Sequence, residues 1–224
     1  MKLGGHEGLS GERATQYRLD VAADDVARRV LHGAGLQVVS EESGVSGSGD
    51  YTVVIDPVDG STNCDRGVPF FATSLAVVRE SELVAALVTN HATGTTYEAA
   101  RGGGARRDGT AIAPSGRTDI AEAIIAFSGL PVRHLGWSQY RSLGAASLEI
   151  CLVADGSLDA FSVAGHHTLN PWDYLGGLLM ILEAGAVAAD YDNDELVTAE
   201  RVKRRPVFAA TPELLTQLRE AGTT

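Results

Sequence analysis

Cysteine is scarce in this chain: Cys64 and Cys151 are its only two among 224 residues. They lack CxxC spacing and are too few for a disulfide framework, so each is expected to be a free thiol within a regular segment. No apolar run approaches the ~20 residues that cross a bilayer. The first eleven residues are polar and Gly-rich, without the apolar stretch of a signal peptide. A cytoplasmic protein is expected. Positive charge is also thin, with 18 Lys and Arg against 29 Asp and Glu, a net charge of −11. Nonspecific binding to nucleic acid or an anionic membrane needs clustered positive charge, so neither partner is expected. An anionic substrate stays compatible, because bound divalent ions reverse the local sign. Absent too are GxSxG, GxGxxG and GxxxxGK[ST] in their required contexts, which sets aside a serine hydrolase and the common nucleotide-binding folds.

What remains reads as a mixed α+β chain. Its length suffices for one large domain or two closely packed subdomains with a substantial core. Residues 1–11 read as loose, and residues 14–34 as a helix with Val26, Ala27, Val30 and Leu31 on one stripe. Gly33 and Gly35 mark its end. Residues 36–39 form a short strand running into Ser40-Glu41-Glu42-Ser43-Gly44, and the Gly/Ser-rich residues 45–50 read as a flexible loop. Residues 51–55 form a second strand that also ends in acids. Open α/β folds build sites at such strand ends. A hairpin is expected from residues 72–78 and 83–90, then a strand at 95–100 before the Gly102-Gly103-Gly104 turn. Polar turn residues cluster at 114–118. Beyond them the pattern predicts strands at 123–127, 158–163, 187–189 and 207–209, and helices at 144–153, 171–183 and 212–220, with Pro171 in a first helical turn. The expectation is a single domain over 1–224. Its subdomains are roughly 12–115, for metal and phosphate, and 116–224, on the substrate side.

The run Val53-Val54-Ile55-Asp56-Pro57-Val58-Asp59-Gly60-Ser61-Thr62-Asn63 is the most informative in the chain. A β-branched stretch delivers two carboxylates three residues apart, and a glycine with two hydroxyl residues follows. Hard divalent cations take oxygen ligands, and helix N-termini take phosphate on free N–H groups. Glu41 also follows a strand, and Asp173 stands in the first turn of a helix. Four such carboxylates suit two or three Mg²⁺ ions in phosphoryl transfer. An isolated Asp at a helix start is more simply a cap. For Asp56 with Asp59, the apolar approach, the proline and the Gly-Ser-Thr sequel together favour a metal site. Ser61 reads as a capping hydroxyl, as a residue orienting the attacking water, or as both, and Gly60 lets N–H groups approach phosphate. His166-His167 has no HxxxH or cysteine partner, so substrate contact or a surface loop is favoured over zinc.

Three segments resemble, in order and spacing, the signatures of the inositol monophosphatase family. They are Ser40-Glu41-Glu42-Ser43, Asp56-Pro57-Val58-Asp59-Gly60-Ser61-Thr62-Asn63 and Pro171-Trp172-Asp173-Tyr174-Leu175-Gly176-Gly177. The resemblance extends through Pro69-Phe70-Phe71-Ala72-Thr73-Ser74-Leu75, Arg141-Ser142-Leu143-Gly144 and Asp155-Gly156, and covers roughly residues 12–212. It implies a layered αβαβα sandwich, commonly a homodimer and often inhibited by lithium, that uses Mg²⁺ to hydrolyse a small phosphate monoester without a phospho-enzyme. By the same resemblance Glu41, Asp56, Asp59, Asp173 and the Val58 carbonyl are metal ligands. Asp24 hydrogen-bonds the Ser61 hydroxyl and, with Glu41 and Ser61, serves catalysis. Asp59, Gly60, Ser61 and Asp173 meet the phosphate, while Gly144, Ala145 and Ala146 face the alcohol.

Departures from the family pattern are also legible. Its first helix is at most partly represented by residues 12–34. Serine replaces the commoner threonine at Ser61. No acid occupies Gly165-His166-His167-Thr168-Leu169-Asn170, where inositol-specific members carry a glutamate. Arg13 matches a basic residue near the family's site entrance. The substrate candidates are therefore inositol phosphate, a sugar phosphate or bisphosphate, histidinol phosphate and a 3′-phosphonucleotide. The other classes to weigh are a catalytically weak relative that keeps its metal site for binding, and a remote NTP-binding domain.

Overall fold

The computed structural model describes residues 8–10 and 17–222. Arg13 and the expected start of the first helix lie outside the described residues, as does most of the expected loose segment 1–11. Helix α1 runs Arg18–Gly33. It is followed by β1 (Gln37–Ser40), β2 (Gly44–Ser46), β3 (Thr52–Asp59), α2 (Ser61–Arg66), β4 (Ala72–Arg79), β5 (Glu82–Asn90), β6 (Thr96–Ala100), β7 (Gly104–Arg107) and β8 (Thr110–Ala111). After a 3₁₀ turn at Ile120–Glu122 come β9 (Ile124–Ser128), β10 (Gln139–Arg141), α3 (Ala146–Ala154), β11 (Ala160–Val163), α4 (Pro171–Ala184), β12 (Val187–Asp190), β13 (Pro206–Ala209) and α5 (Pro212–Gly222).

The strands form two sheets. One has eight strands in the order β2-β1-β3-β4-β5-β6-β7-β8, the other five in the order β10-β9-β11-β13-β12. Helix α1 covers β1 and β3 on the outside of the first sheet, where Ala27 and Leu31 pack against Val38, Val53 and Ile55. Helices α3 and α4 fill the space between the sheets. Ile150, Cys151, Leu175, Met180 and Ile181 are there fully buried beside Phe127, Phe161 and Phe208. Helix α5 closes the far side against β12 and β13. The layers are thus αβαβα. Among the described residues no helix is long and apolar enough to cross a membrane.

Several local expectations need revision. Val26 and Val30 stand 54% and 67% exposed, so the inward face of α1 is Asp20, Asp24, Ala27 and Leu31 instead. The stripe chosen by hydrophobicity missed two acids that have partners indoors. The segment read as a flexible loop begins as strand β2, because Val45 and Ser46 pair with Val39 and Val38. Strands β7, β8 and β10 were not anticipated. Both cysteines are free, Cys151 buried and Cys64 partly so.

Candidate metal centre

Side chains three apart on a regular strand point to opposite faces. Strand β3 escapes this rule. Asp56 pairs with Ser74 and Asp59 with Ala72, so three steps on β3 match two on β4, and one extra residue bulges out. Pro57 sits in the bulge, where its missing N–H breaks no ladder bond. The Pro57 carbonyl is instead satisfied by the Thr73 hydroxyl, which donates to it at 2.7 Å. The Val58 N–H donates to Asp56 Oδ1 at 2.9 Å. The bulge restores a common direction to the two acids that the Asp-x-x-Asp spacing would otherwise have parted.

Glu41 follows the last residue of β1 and is tied there by its N–H donating to the Ile55 carbonyl at 3.2 Å. Asp173 is the third residue of α4, and its Oδ2 accepts the Asn170 N–H at 2.7 Å. The cap role and the site role therefore coexist in Asp173. Oxygen atoms of Glu41, Asp56 and Asp173 lie within 4.8 Å of one another, although the three residues come from distant segments. Asp59 stands beside them and faces Glu41 and Asp56. Its Oδ2 is engaged by Ser147, at the start of α3, through the backbone N–H at 2.8 Å and the hydroxyl at 2.5 Å.

Burial and mutual repulsion act together on these acids. Burial, then the charges of Glu42 and Asp59, push Glu41 up to about 7. Asp56 is raised well above the usual carboxylate range by burial and by Glu41, Asp59 and Asp173. Burial lifts Asp59 to about 6 against the opposing bonds from Ser147, and also raises Asp173. The charges that raise Asp56 are those of Glu41, Asp59 and Asp173, all acids. An all-oxygen donor set converging in this way fits a hard divalent cation such as Mg²⁺.

The turn beyond Asp59 is equally constrained. Gly60 has φ +84°, and a Cβ there would lie 3.0 Å from the Gly144 carbonyl and 3.1 Å from that of Phe70. Only glycine fits. Ser61 then opens α2. Asn63 ties this turn to the far loop, its Nδ2 donating to the carbonyls of Phe70 at 2.8 Å and Leu143 at 2.7 Å. Gly144, Ala145 and Ala146 consequently line the same cleft as Asp59 and Asp173, a cavity of about 280 Å³ that also reaches Gly129, Leu169 and Glu149.

Glu149 was not anticipated. It is 2% exposed, accepts the Leu143 N–H at 2.7 Å, and is pushed up to about 8 by burial. Asp24 needs correction. Its Oδ1 accepts the Ser40 hydroxyl at 2.5 Å and its Oδ2 the Arg28 Nε at 2.9 Å, so its carboxylate is taken up at the end of β1 and not by Ser61. The α1 acid whose charge faces Glu41 is Asp20, one turn earlier and 4% exposed. His166 and His167 lie in an exposed loop after β11 and are not part of the carboxylate triple, while His167 packs against Gly129 of the cleft wall.

This geometry has close counterparts. The profile of the inositol monophosphatase family matches residues 6–222. The chain is 31% identical to the inositol-1-monophosphatase of Mesorhizobium japonicum, covering 92% of this chain and 86% of that protein. It is 34% identical to the fructose-1,6-bisphosphatase/inositol-1-monophosphatase of Archaeoglobus fulgidus, over 95% of this chain and 86% of the relative. A solved structure from Pyrococcus horikoshii, described by its similarities to inositol-1 monophosphatase, superposes with a TM-score of 0.87 at 29% identity, covering 98% of this chain and 90% of the other. The chain belongs to the inositol monophosphatase family, and so to the phosphoric monoester hydrolases.

Proposed function

We propose that this chain hydrolyses a small phosphate monoester with two or three Mg²⁺ ions held by Glu41, Asp56, Asp59, Asp173 and the Val58 carbonyl. The observation that carries the reading is the meeting of Glu41, Asp56 and Asp173 within 4.8 Å from three distant segments of the chain. Bound there, divalent ions would polarise the phosphoryl group and make a coordinated water more acidic. The N–H groups of Gly60 and Ser61 receive the phosphate oxygens. Glu41 and the Ser61 hydroxyl orient the attacking water, with Asp20 in the supporting place first given to Asp24. Gly144, Ala145 and Ala146 form the wall against the alcohol, and Asp59 is held in register by Ser147. The protein's share of catalysis is placement and charge, as suits a loose phosphoryl-transfer transition state.

The relatives' names put inositol 1-phosphate and fructose 1,6-bisphosphate first in a substrate panel, followed by histidinol phosphate and a 3′-phosphonucleotide. Phosphate release should require Mg²⁺ and collapse in Asp59→Asn. Full turnover by that variant would remove the mechanism. A homodimer in the cytoplasm is part of the proposal. The exposure of Leu130 and Val132, at 82% and 89%, supports a partner surface. Light scattering after size exclusion tests the assembly, and cell fractionation tests the compartment.

A further inference from the structure

Two of the clustered carboxylates stand at the ends of their elements. Glu41 lies in the turn leaving a four-residue strand, and Asp173 lies at the very start of α4. One side chain from a third place in the sequence touches both supports. Arg201, in the connection between β12 and β13, donates from Nη1 to the Ser40 carbonyl at 2.6 Å. Longer contacts of 3.4 Å run from Nη1 and Nη2 to the Glu41 carbonyl. The same guanidinium lies over the Trp172 ring, with Cζ 4.6 Å from the ring centroid. A Cβ on Gly44 would meet Nη1 at 3.8 Å, so the far end of the turn also lies close to this group.

Resting on the metal-centre reading above, we infer that Arg201 is a positioning residue which clamps the Glu41 turn to the Trp172–Asp173 helix start and so sets the spacing of two metal ligands. The physical need is clear. Like charges in the cluster repel one another, and any displacement of the turn would carry Glu41 away from Asp173. A planar guanidinium meets main-chain carbonyls through its edge and an indole through its face simultaneously. A lysine ammonium is a point donor and cannot reproduce both contacts. Arg201 touches the main chain of Glu41 and the residues beside the ligands, not the ligating carboxylates, so it acts on the site through them. Outer groups of this kind typically change metal affinity about 10–100-fold when removed.

The test is calorimetric titration of the metal-free full chain with MgCl₂, comparing wild type with Arg201→Ala, Arg201→Met and Arg201→Lys. Methionine keeps aliphatic packing on Trp172 without the donors, so it decides the matter if the alanine variant folds poorly. The expected result is at least about tenfold weaker Mg²⁺ binding in Arg201→Met. Incomplete rescue is expected in Arg201→Lys, with circular dichroism unchanged in both. Mg²⁺ affinity within twofold of wild type in Arg201→Met would overturn the inference, as would full rescue by lysine. Wild type that binds no Mg²⁺ would instead sink the metal-centre reading itself, a separate and recognisable failure.

Discussion

Ser147 donates both its N–H and its hydroxyl to the same oxygen of Asp59, across 88 positions of sequence. The two bonds join the start of α3, in the layer between the sheets, to the end of β3 in the first sheet. They act on the charged form of Asp59 and hold its carboxyl below where burial alone would carry it.

Ser147→Ala removes the hydroxyl bond and leaves the N–H. With less support for the carboxylate, Asp59 shifts above its present value of about 6. In the metal-free protein, the fall of stability with rising pH should therefore extend to higher pH, read by urea midpoints from about pH 5 to 8 in EDTA. Loss of one hydrogen bond to a buried charged group should cost about 1–3 kcal/mol, read by urea denaturation at pH 8. An unmoved pH dependence in EDTA would show that the Ser147 hydroxyl does not support the Asp59 carboxylate.

The raised acids also fix how the metal-free protein responds to pH. Glu41 at about 7, Asp59 at about 6 and Glu149 at about 8 all lie above ordinary carboxylate values, so the folded state binds protons that the unfolded state has released. Stability then falls as pH rises wherever the native state holds more protons. Its contribution is complete below about pH 4 and is lost progressively as pH rises through 6 to 8. In EDTA, Tm should be higher at pH 5 than at pH 8. Added Mg²⁺ should raise Tm most at pH 8, where the ligands are ionised. A metal-free protein that gains stability from pH 5 to 8 would contradict this.

How much of this was legible in the sequence follows from what each signal reports. The Asp56-Pro57-Val58-Asp59-Gly60 run and the strand-then-acid pattern at Glu41 announced the cluster, because those features are local. Which acid of α1 faces the site was not local. Asp20 and Asp24 are one helical turn apart on the same face, and only the placement of β1 decides that Ser40 captures Asp24. Arg201 was invisible for the same reason, since its partner is the main chain of a distant segment, and Glu149 because an acid inside an apolar helix reads as a solvent-facing one until the Leu143 N–H turns back onto it. The β7–β8 hairpin was readable in principle. Asp108-Gly109 is a favoured two-residue turn, and both residues adopt positive φ.

The two α1 acids can be separated by experiment. Asp20→Asn keeps the oxygen that accepts the Tyr17 N–H at 2.8 Å and removes only charge. It should lower kcat by about 10²-fold, the lower end of the range for losing a positioned proton-handling group. Asp24→Asn should act chiefly on stability, by about 1–3 kcal/mol, because its partners are Ser40 and Arg28. Measuring kcat and denaturation midpoint for both variants checks the assignment. A larger kcat loss in Asp24→Asn would return Asp24 to the reacting centre.

The contact between α3 and α4 is the remaining point of high sensitivity. A Cβ placed on Gly177 would lie 2.5 Å from Ile150 Cγ2 and 2.7 Å from Ile150 Cβ. Ile150 is β-branched and fully buried, so it cannot swing aside. The helices must separate, and overpacking of this kind costs about 1–3 kcal/mol. Gly177→Ala should therefore lower Tm by roughly 2–12 °C, at about 2–4 °C per kcal/mol for a chain of this size. Ile150→Ala alone opens a cavity and destabilises as well. In the double variant the added methyl occupies part of the space that isoleucine vacates, so the combined loss should be smaller than the sum of the two single losses. Additive losses would mean that the two residues do not press on one another. Because α4 carries Asp173 at its first turn, the same Gly177→Ala variant should also weaken Mg²⁺ binding, and the double variant should recover part of it.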